Sequence, residues 1–226
     1  MENILLGGYA GRVYPVNPKG GQILGHPVYK SVESITDPVD IACVVVPARA
    51  VFDAIKNCAE KKTKFVIIIS SGFSEVGNIS EERRIVSYAR QHRMRVVGPN
   101  VFGIYSSSVM LNATFGPRDI RPGNVAIVTQ SGAIGVAMIG KTKNENIGLS
   151  TIISVGNKSD IGEVDLLRYL MSHKESQVIL VYIEELGGER LVKALKMTAY
   201  LFKSLGPQHP VVACVSRHIP NCDADR

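Results

Sequence analysis

The chain contains no tryptophan, and aromatic residues make up only 6% of its 226 positions. Its lysines and arginines are scattered, in spite of a formal net charge of +6. With few stacking platforms and no continuous basic stripe, the sequence does not read as a nucleic-acid binder. No run of about 18 uncharged apolar residues occurs, so no membrane-spanning helix is expected. Met1-Glu2-Asn3 lacks a basic segment and Ile4-Leu5-Leu6 is too short for a signal-peptide core, which gives the expectation of a cytoplasmic protein. Cysteine is scarce too. Cys43, Cys58, Cys214 and Cys222 form no CxxC pair, which argues against a zinc finger or a disulfide framework. Cys43 and Cys214 lie inside apolar runs and are expected to act as small buried hydrophobes. His26, His92, His173, His209 and His218 show no metal-ligand spacing. His92 and His173 stand at expected helix ends, where imidazole meets terminal carbonyls.

What the sequence has in abundance is alternation. Short apolar runs, read as strands, cover Arg12–Val16, Ile41–Val46, Phe65–Ser70, Arg95–Gly98, Val125–Thr129, Thr151–Val155, Val178–Ile183 and Val211–Val215. Val44-Val45-Val46 and Val66-Ile67-Ile68-Ile69 are apolar at every position, as in parallel strands covered on both faces. Helical patterns separate them at Ala48–Lys61, Ser80–His92, Gly132–Lys143, Gly162–Ser172 and Glu189–Ser204. Repeated strand–helix units predict a doubly wound α/β architecture. The stretch from Pro99 to Asn124, rich in glycine, proline and serine, breaks the rhythm and reads as a loop-rich connection between two α/β domains. The basic clusters Lys61-Lys62-Lys64 and Arg90, Arg93 and Arg95 fit solvated helix ends, or attraction for a small polyanion.

Open α/β sheets place ligands at the carboxyl ends of their strands, and several such ends here carry small or polar residues. In Asn17-Pro18-Lys19-Gly20-Gly21, Lys19 offers a point charge for a phosphate and the glycines permit close backbone approach. Pro47 sits where a strand gives way to a helix. Ser70-Ser71-Gly72 supplies hydroxyls and a flexible turn. Asn100, after Gly98-Pro99, can grip a ligand amide or pin a loop. Thr129-Gln130-Ser131-Gly132 leads from a strand into a helix, which makes either an anion cradle or a plain N-cap. It is not a nucleophile elbow, because position 129 is threonine rather than the glycine of G-x-S-x-G. Gly156-Asn157 and the acids Glu184 and Glu185 stand at further strand ends, and Asp160 reads as a helix cap.

Taken in this order, the motifs resemble those of the ADP-forming acetyl-CoA synthetases, the NDP-forming acyl-CoA synthetases, over roughly residues 4–216. The resemblance is carried by Gly7-Gly8-Tyr9-Ala10-Gly11-Arg12-Val13-Tyr14-Pro15-Val16-Asn17-Pro18-Lys19, by Gly98-Pro99-Asn100, by the Thr129–Gly132 turn, and by Ser154–Lys158 followed by Glu163-Val164-Asp165-Leu166-Leu167. Succinyl-CoA synthetase α chains look similar but more distant. The resemblance implies a Rossmann-like coenzyme A-binding domain at 1–118 followed by a flavodoxin-like doubly wound parallel-sheet domain at 119–226. It implies that Pro18, Lys19, Pro47, Ser70, Ser71, Gly72 and Asn100 border coenzyme A. Gln130, Ser131, Gly132, Gly156 and Asn157 would meet phosphate or substrate, with Ser131 at the helix that steadies a phosphohistidine. Glu184 or Glu185 would orient that histidine. ATP, ADP and Mg would be bound only by an ATP-grasp partner chain or domain.

The same resemblance marks what is missing. The family's first strand and Gly-rich phosphate turn, expected before a helix ending near Gly7, are not in this sequence. Ser216-Arg217-His218-Ile219-Pro220 does not match the family's approach to its active histidine, so His218 is not assigned that role. The expectation is a chain truncated at both ends, with a first domain less stable than the second, and incomplete as a catalyst. The alternative readings are a non-catalytic coenzyme A-binding or interaction module, or a detached piece of a protein acetyltransferase carrying a ligase-like region.

Overall fold

The computed structural model describes residues 1–184 and the strand at 211–215. The N-terminal half begins with a single helical turn, α1 (Glu2–Leu5), and a two-residue ribbon, β1 (Gln22–Ile23) with β2 (His26–Pro27). Three parallel strands follow, β3 (Ile41–Val44), β4 (Phe65–Ile68) and β5 (Arg95–Val97), in the order β3-β4-β5. They are joined by α2 (Ala48–Glu60) and α3 (Ile79–Gln91). Register explains the first core. Ala42, Val66 and Val96 align across the strands, as do Val44 and Ile68, so the period-2 alternation sends them to one face. There they pack with Val51, Ile55, Cys58, Ile85 and Ala89 from the two helices.

The C-terminal half has a six-stranded sheet. Its members are β6 (Gly103–Ser106), β7 (Leu111–Thr114), β8 (Pro122–Thr129), β9 (Leu149–Ser154), β10 (Val178–Ile183) and β11 (Val211–Val215), in the order β11-β10-β8-β9-β6-β7. The strands β8 to β11 are mutually parallel, linked by α4 (Gly132–Asn144) and α5 (Glu163–Met171) where described. In β8, Ala126 and Val128 face one core while Ile127 faces the other, packed with Phe102, Ile139 and Ile152. The first of these cores also takes in Ile67 and Val97 from the far face of the N-terminal sheet. The two halves therefore share one apolar interior. Among the described residues no helix is long and apolar enough to cross a membrane.

Three sequence expectations fail here. The stretch 99–124 is not a plain loop, because β6 and β7 form an antiparallel hairpin within it, and β6 pairs antiparallel with β9. The hairpin adds two strands to the parallel sheet and covers its β9 edge. Arg12–Val16 is not a strand. Only Val16 bridges, to Tyr29, because among the described residues the rest of the segment has no neighbouring strand to complete a ladder. Cys43 is exposed, not buried, because it lies on edge strand β3 and on the face opposite α2 and α3. Cys58 is buried as a small hydrophobe, which pushes its thiol up to about 11. The helical pattern at Glu189–Ser204 and residues Glu185, His209, His218 and Cys222 lie outside the described residues.

Candidate functional site

The parallel strands of each half end on a row of turns, where side chains and free backbone groups are available. At the end of β3, Pro47 stands before α2 without a side-chain cap, so the first N–H groups of that helix keep their partial positive charge. The Ser70 hydroxyl, at the end of β4, donates to the Val46 carbonyl at 2.5 Å and ties the two strand ends together. Gly72 adopts φ +111, and a Cβ there would come within 3.0 Å of Ala48 in the first turn of α2. A residue without a side chain is what this close approach requires. Pro47, Ser70, Ser71 and Gly72 are thereby brought to one place, with Pro47 and Ser71 exposed.

The end of β5 joins this group. The Asn100 N–H donates to the Ser70 carbonyl at 3.0 Å. The turn Gly98-Pro99-Asn100 is gripped in turn by the loop after β9. Asn157 N–H donates to Pro99 O at 3.0 Å, and the Ser159 hydroxyl donates to Gly98 O at 2.7 Å. Gly156 has φ +51, and a Cβ on it would lie 2.2 Å from the Pro99 oxygen. The two halves of the molecule thus meet backbone to backbone at Asn100 and Gly156. The side chains meet there as well. Asn157 Nδ2 donates to Glu75 Oε2 at 2.6 Å and to Glu82 Oε2 at 2.8 Å, while its Oδ1 accepts from Asn100 Nδ2 at 3.4 Å. Glu75 Oε1 accepts from the Gly72 and Phe73 N–H groups, and Glu82 Oε2 from the Ser74 N–H. Partial burial pushes the Glu75 carboxyl up. Hydrogen bonds from the Gly72 N–H and the Asn157 carboxamide outweigh it and hold the group below the usual carboxylate range.

Gln130, Ser131 and Glu184 gather at the carboxyl ends of β8 and β10. The Glu184 N–H donates to Gln130 Oε1 at 3.0 Å, and Gln130 N–H donates to the Tyr182 carbonyl at 2.9 Å. Ser131 is the N-cap of α4 and accepts from the Ile134 N–H at 3.4 Å; Gly132 opens the helix. Glu185 falls outside the described residues. Pro18 and Lys19 lie in an exposed turn closed locally by Lys19 N–H to Asn17 Oδ1 at 3.0 Å and Gly20 N–H to Asn17 O at 2.8 Å.

Asp160 corrects a further expectation. It does not cap α5; Gly162 does, its N–H donating to Asp165 Oδ2 at 3.3 Å. The Asp160 side chain is fully buried and ion-pairs with Arg90 at 2.6 Å and Arg95 at 3.0 Å, while accepting from Val96 N–H at 2.7 Å. The two arginines are therefore not simply solvated helix-end charges. They clamp the β9 loop onto α3 and β5. Beside this clamp, a groove of about 580 Å³ runs between α3 and the loop and includes Glu82, Arg83, Arg90 and Asn157 in its lining. Of the helix-end histidines, His92 Nδ1 lies 2.9 Å from Tyr88 O, and His173 Nδ1 lies 2.7 Å from the Ser176 hydroxyl. The roles of Glu82 and Asp160 were hidden in the sequence because their partners lie 64–75 positions away or, for Ser74, in a separate turn; only the family order of the motifs hints at the convergence.

Residues 2–107 match the family described as a CoA binding domain, and residues 122–216 match that described as a succinyl-CoA ligase like flavodoxin domain. The alpha subunit of acetate–CoA ligase (ADP-forming) I from Pyrococcus furiosus is 45% identical over 203 residues, covering 87% of this chain and 44% of that relative. The acetate–CoA ligase (ADP-forming) of Methanocaldococcus jannaschii is 38% identical, covering 92% of this chain and 29% of the relative. Among solved structures, the dinucleotide forming acetyl-coenzyme A synthetase 1 of Ca. Korarchaeum cryptofilum, in complex with phosphate and ADP, superimposes with a TM-score of 0.90 at 39% identity, over 95% of this chain and 45% of that one. An ATP citrate lyase from Methanothrix soehngenii, at 18% identity and a TM-score of 0.70, shares the fold. The chain spans less than half the length of each of these proteins. Over nearly its whole length the chain is homologous to part of the ADP-forming acetyl-CoA synthetases, and it corresponds to the region in which a CoA-binding domain precedes a succinyl-CoA ligase-like flavodoxin domain.

Proposed function

We propose that the chain binds coenzyme A, free or acylated, as the α-type part of an ADP-forming acyl-CoA synthetase acting in the cytoplasm. The observation that carries this reading is the convergence of Pro47, Ser70, Gly72 and Asn100 beside the uncapped start of α2. Partial positive charge, hydroxyls and amides in one exposed row suit a phosphorylated ligand with an amide-bearing arm. Lys19, next to Pro18, supplies a cation from a separate turn. Residues 1–118 take the coenzyme, and residues 119–226 carry the acyl-transfer chemistry.

In that chemistry inorganic phosphate attacks the thioester carbonyl, the carbon–sulfur bond breaks, and coenzyme A leaves as thiolate while an acyl phosphate forms. The start of α4, with Gln130, Ser131 and Gly132, faces the anion, and the Gly156–Asn157 loop lies against the coenzyme turn. The P–O bond to the acyl oxygen then breaks, the acid leaves as carboxylate, and the phosphoryl group moves to a histidine oriented by Glu184 or Glu185. From there it passes to ADP held with Mg by an ATP-grasp partner. Glu184 is already anchored through its N–H to Gln130.

Equilibrium dialysis against coenzyme A tests the reading. Saturable binding is expected, with Lys19→Ala weakening it about fivefold to tenfold through one lost phosphate contact. Absence of saturable binding overturns it. Saturable binding without acyl phosphate formation, even with an ATP-grasp partner supplied, would favour a non-catalytic binding module.

A further inference from the structure

Asn157 is held in one orientation. Both hydrogens of its carboxamide are directed at carboxylates, Glu75 at 2.6 Å and Glu82 at 2.8 Å. Neither carboxylate can turn away freely. Glu75 is also fixed by the Gly72 and Phe73 N–H groups, and Glu82, buried in α3, by the Ser74 N–H. An amide has two donor hydrogens and one acceptor oxygen. With its donors spent on carboxylates, Asn157 presents only Oδ1, which points at Asn100 across the junction of the two halves. A free phosphate, an acceptor in nearly all its atoms, finds no donor in this side chain, and the two neighbouring carboxylates repel it.

The geometry points to Asn157 as a specificity-determining residue that accepts a hydrogen bond from a secondary-amide N–H of the ligand, with Glu75 and Glu82 as the positioning residues that fix its orientation. The inference rests on the coenzyme A reading above and deepens it. The phosphates of coenzyme A meet the helix start and Lys19, whereas the amide-bearing thiol arm is read at the Asn100–Asn157 pair. Glu75 must be a carboxylate for this to hold. Its Oε1 serves the turn and its Oε2 serves Asn157, so an isosteric glutamine, with one acceptor oxygen, must give up one of the two.

The test compares two probes, coenzyme A and adenosine 3′,5′-bisphosphate, which lacks the amide arm. Asn157→Ala is expected to weaken coenzyme A about tenfold, the worth of one hydrogen bond, and to leave the bisphosphate unchanged. Glu75→Gln should produce the same selective loss, which a purely space-filling role for Glu75 would not. Equal weakening of both probes, or unchanged coenzyme A affinity in Asn157→Ala, overturns the assignment while leaving the coenzyme A reading intact. If the native chain binds neither probe, the coenzyme A reading itself fails. A measurement without ligand then decides the orientation: the side-chain amide protons of Asn157, followed by NMR, should exchange slowly and shift in Glu75→Gln. Protons that exchange at the rate of a solvated amide and ignore that substitution contradict it.

Discussion

Asp160 shows how one side chain can hold two halves of a molecule together. Burial by itself would push its carboxyl up; hydrogen bonds from Arg95, the Val96 N–H and Arg90 outweigh this and hold it below the usual carboxylate range. A group whose pKa is depressed in the folded state contributes stability that is fully present above its unfolded value, about 3.9 for aspartate, and lost as the pH falls through the folded value. Acid therefore loosens the β9 loop from α3 and β5. Asp160→Asn should cost about 2 kcal/mol at neutral pH, the scale of hydrogen bonds to a charged group. It should also remove part of the fall in stability below about pH 4. Urea unfolding of both proteins at pH 7 and pH 3.5 checks this; an unchanged pH dependence in the variant would show that the clamp is energetically idle.

The strands differ in how well they are protected. β9 is buried at all six positions, whereas β3 is an edge strand with Ile41 at 44% exposure and Cys43 open to solvent. Nearby Val45 and Phe65 are exposed at 68% and 44%. Local opening follows buried contact density, so the amides of Ile41–Val44 should exchange at least about tenfold faster than those of Leu149–Ser154. Equal protection of the two strands would contradict this and the lower stability expected of the N-terminal half. The same contrast explains what could be read from the sequence. β4, β8 and β10 were legible because Val66-Ile67-Ile68 and Val178–Ile183 are apolar throughout, and α2 and α3 because their apolar residues recur at helical spacing. The β6–β7 hairpin was not, because its four-residue strands contain Gly103, Ser106, Asn112 and Thr114 and are held by pairing, β6 with β9 and β7 with β6, rather than marked by hydrophobicity. The site was half legible. Strand-end motifs marked Ser70, Asn100, Gln130 and Asn157, but Glu82 and Asp160 look like ordinary helix and loop acids until the chain folds.

The whole molecule owes its arrangement to a shared interior. Ile67 and Val97 of the first sheet pack into the same core as Val128 and Ile153 of the second and Leu166 of α5. That contact, with the Asp160 clamp and the Gly156–Pro99 approach, fixes the carboxyl ends of both sheets against each other. A ligand that spans the junction therefore meets a preformed surface, and its binding should stabilise both halves together. The chain covers less than half the length of its relatives. In the proposed reading coenzyme A is taken by this chain, whereas ADP is taken by an ATP-grasp partner. Thermal unfolding of the chain with and without coenzyme A, with ADP as the control, tests this directly. At a ligand concentration a hundredfold above Kd, a site present only in the folded state adds about 2.7 kcal/mol of stability. A single transition raised by coenzyme A and unmoved by ADP is the predicted result. No shift with coenzyme A, or an equal shift with ADP, would contradict a coenzyme A site at the junction of the two sheets.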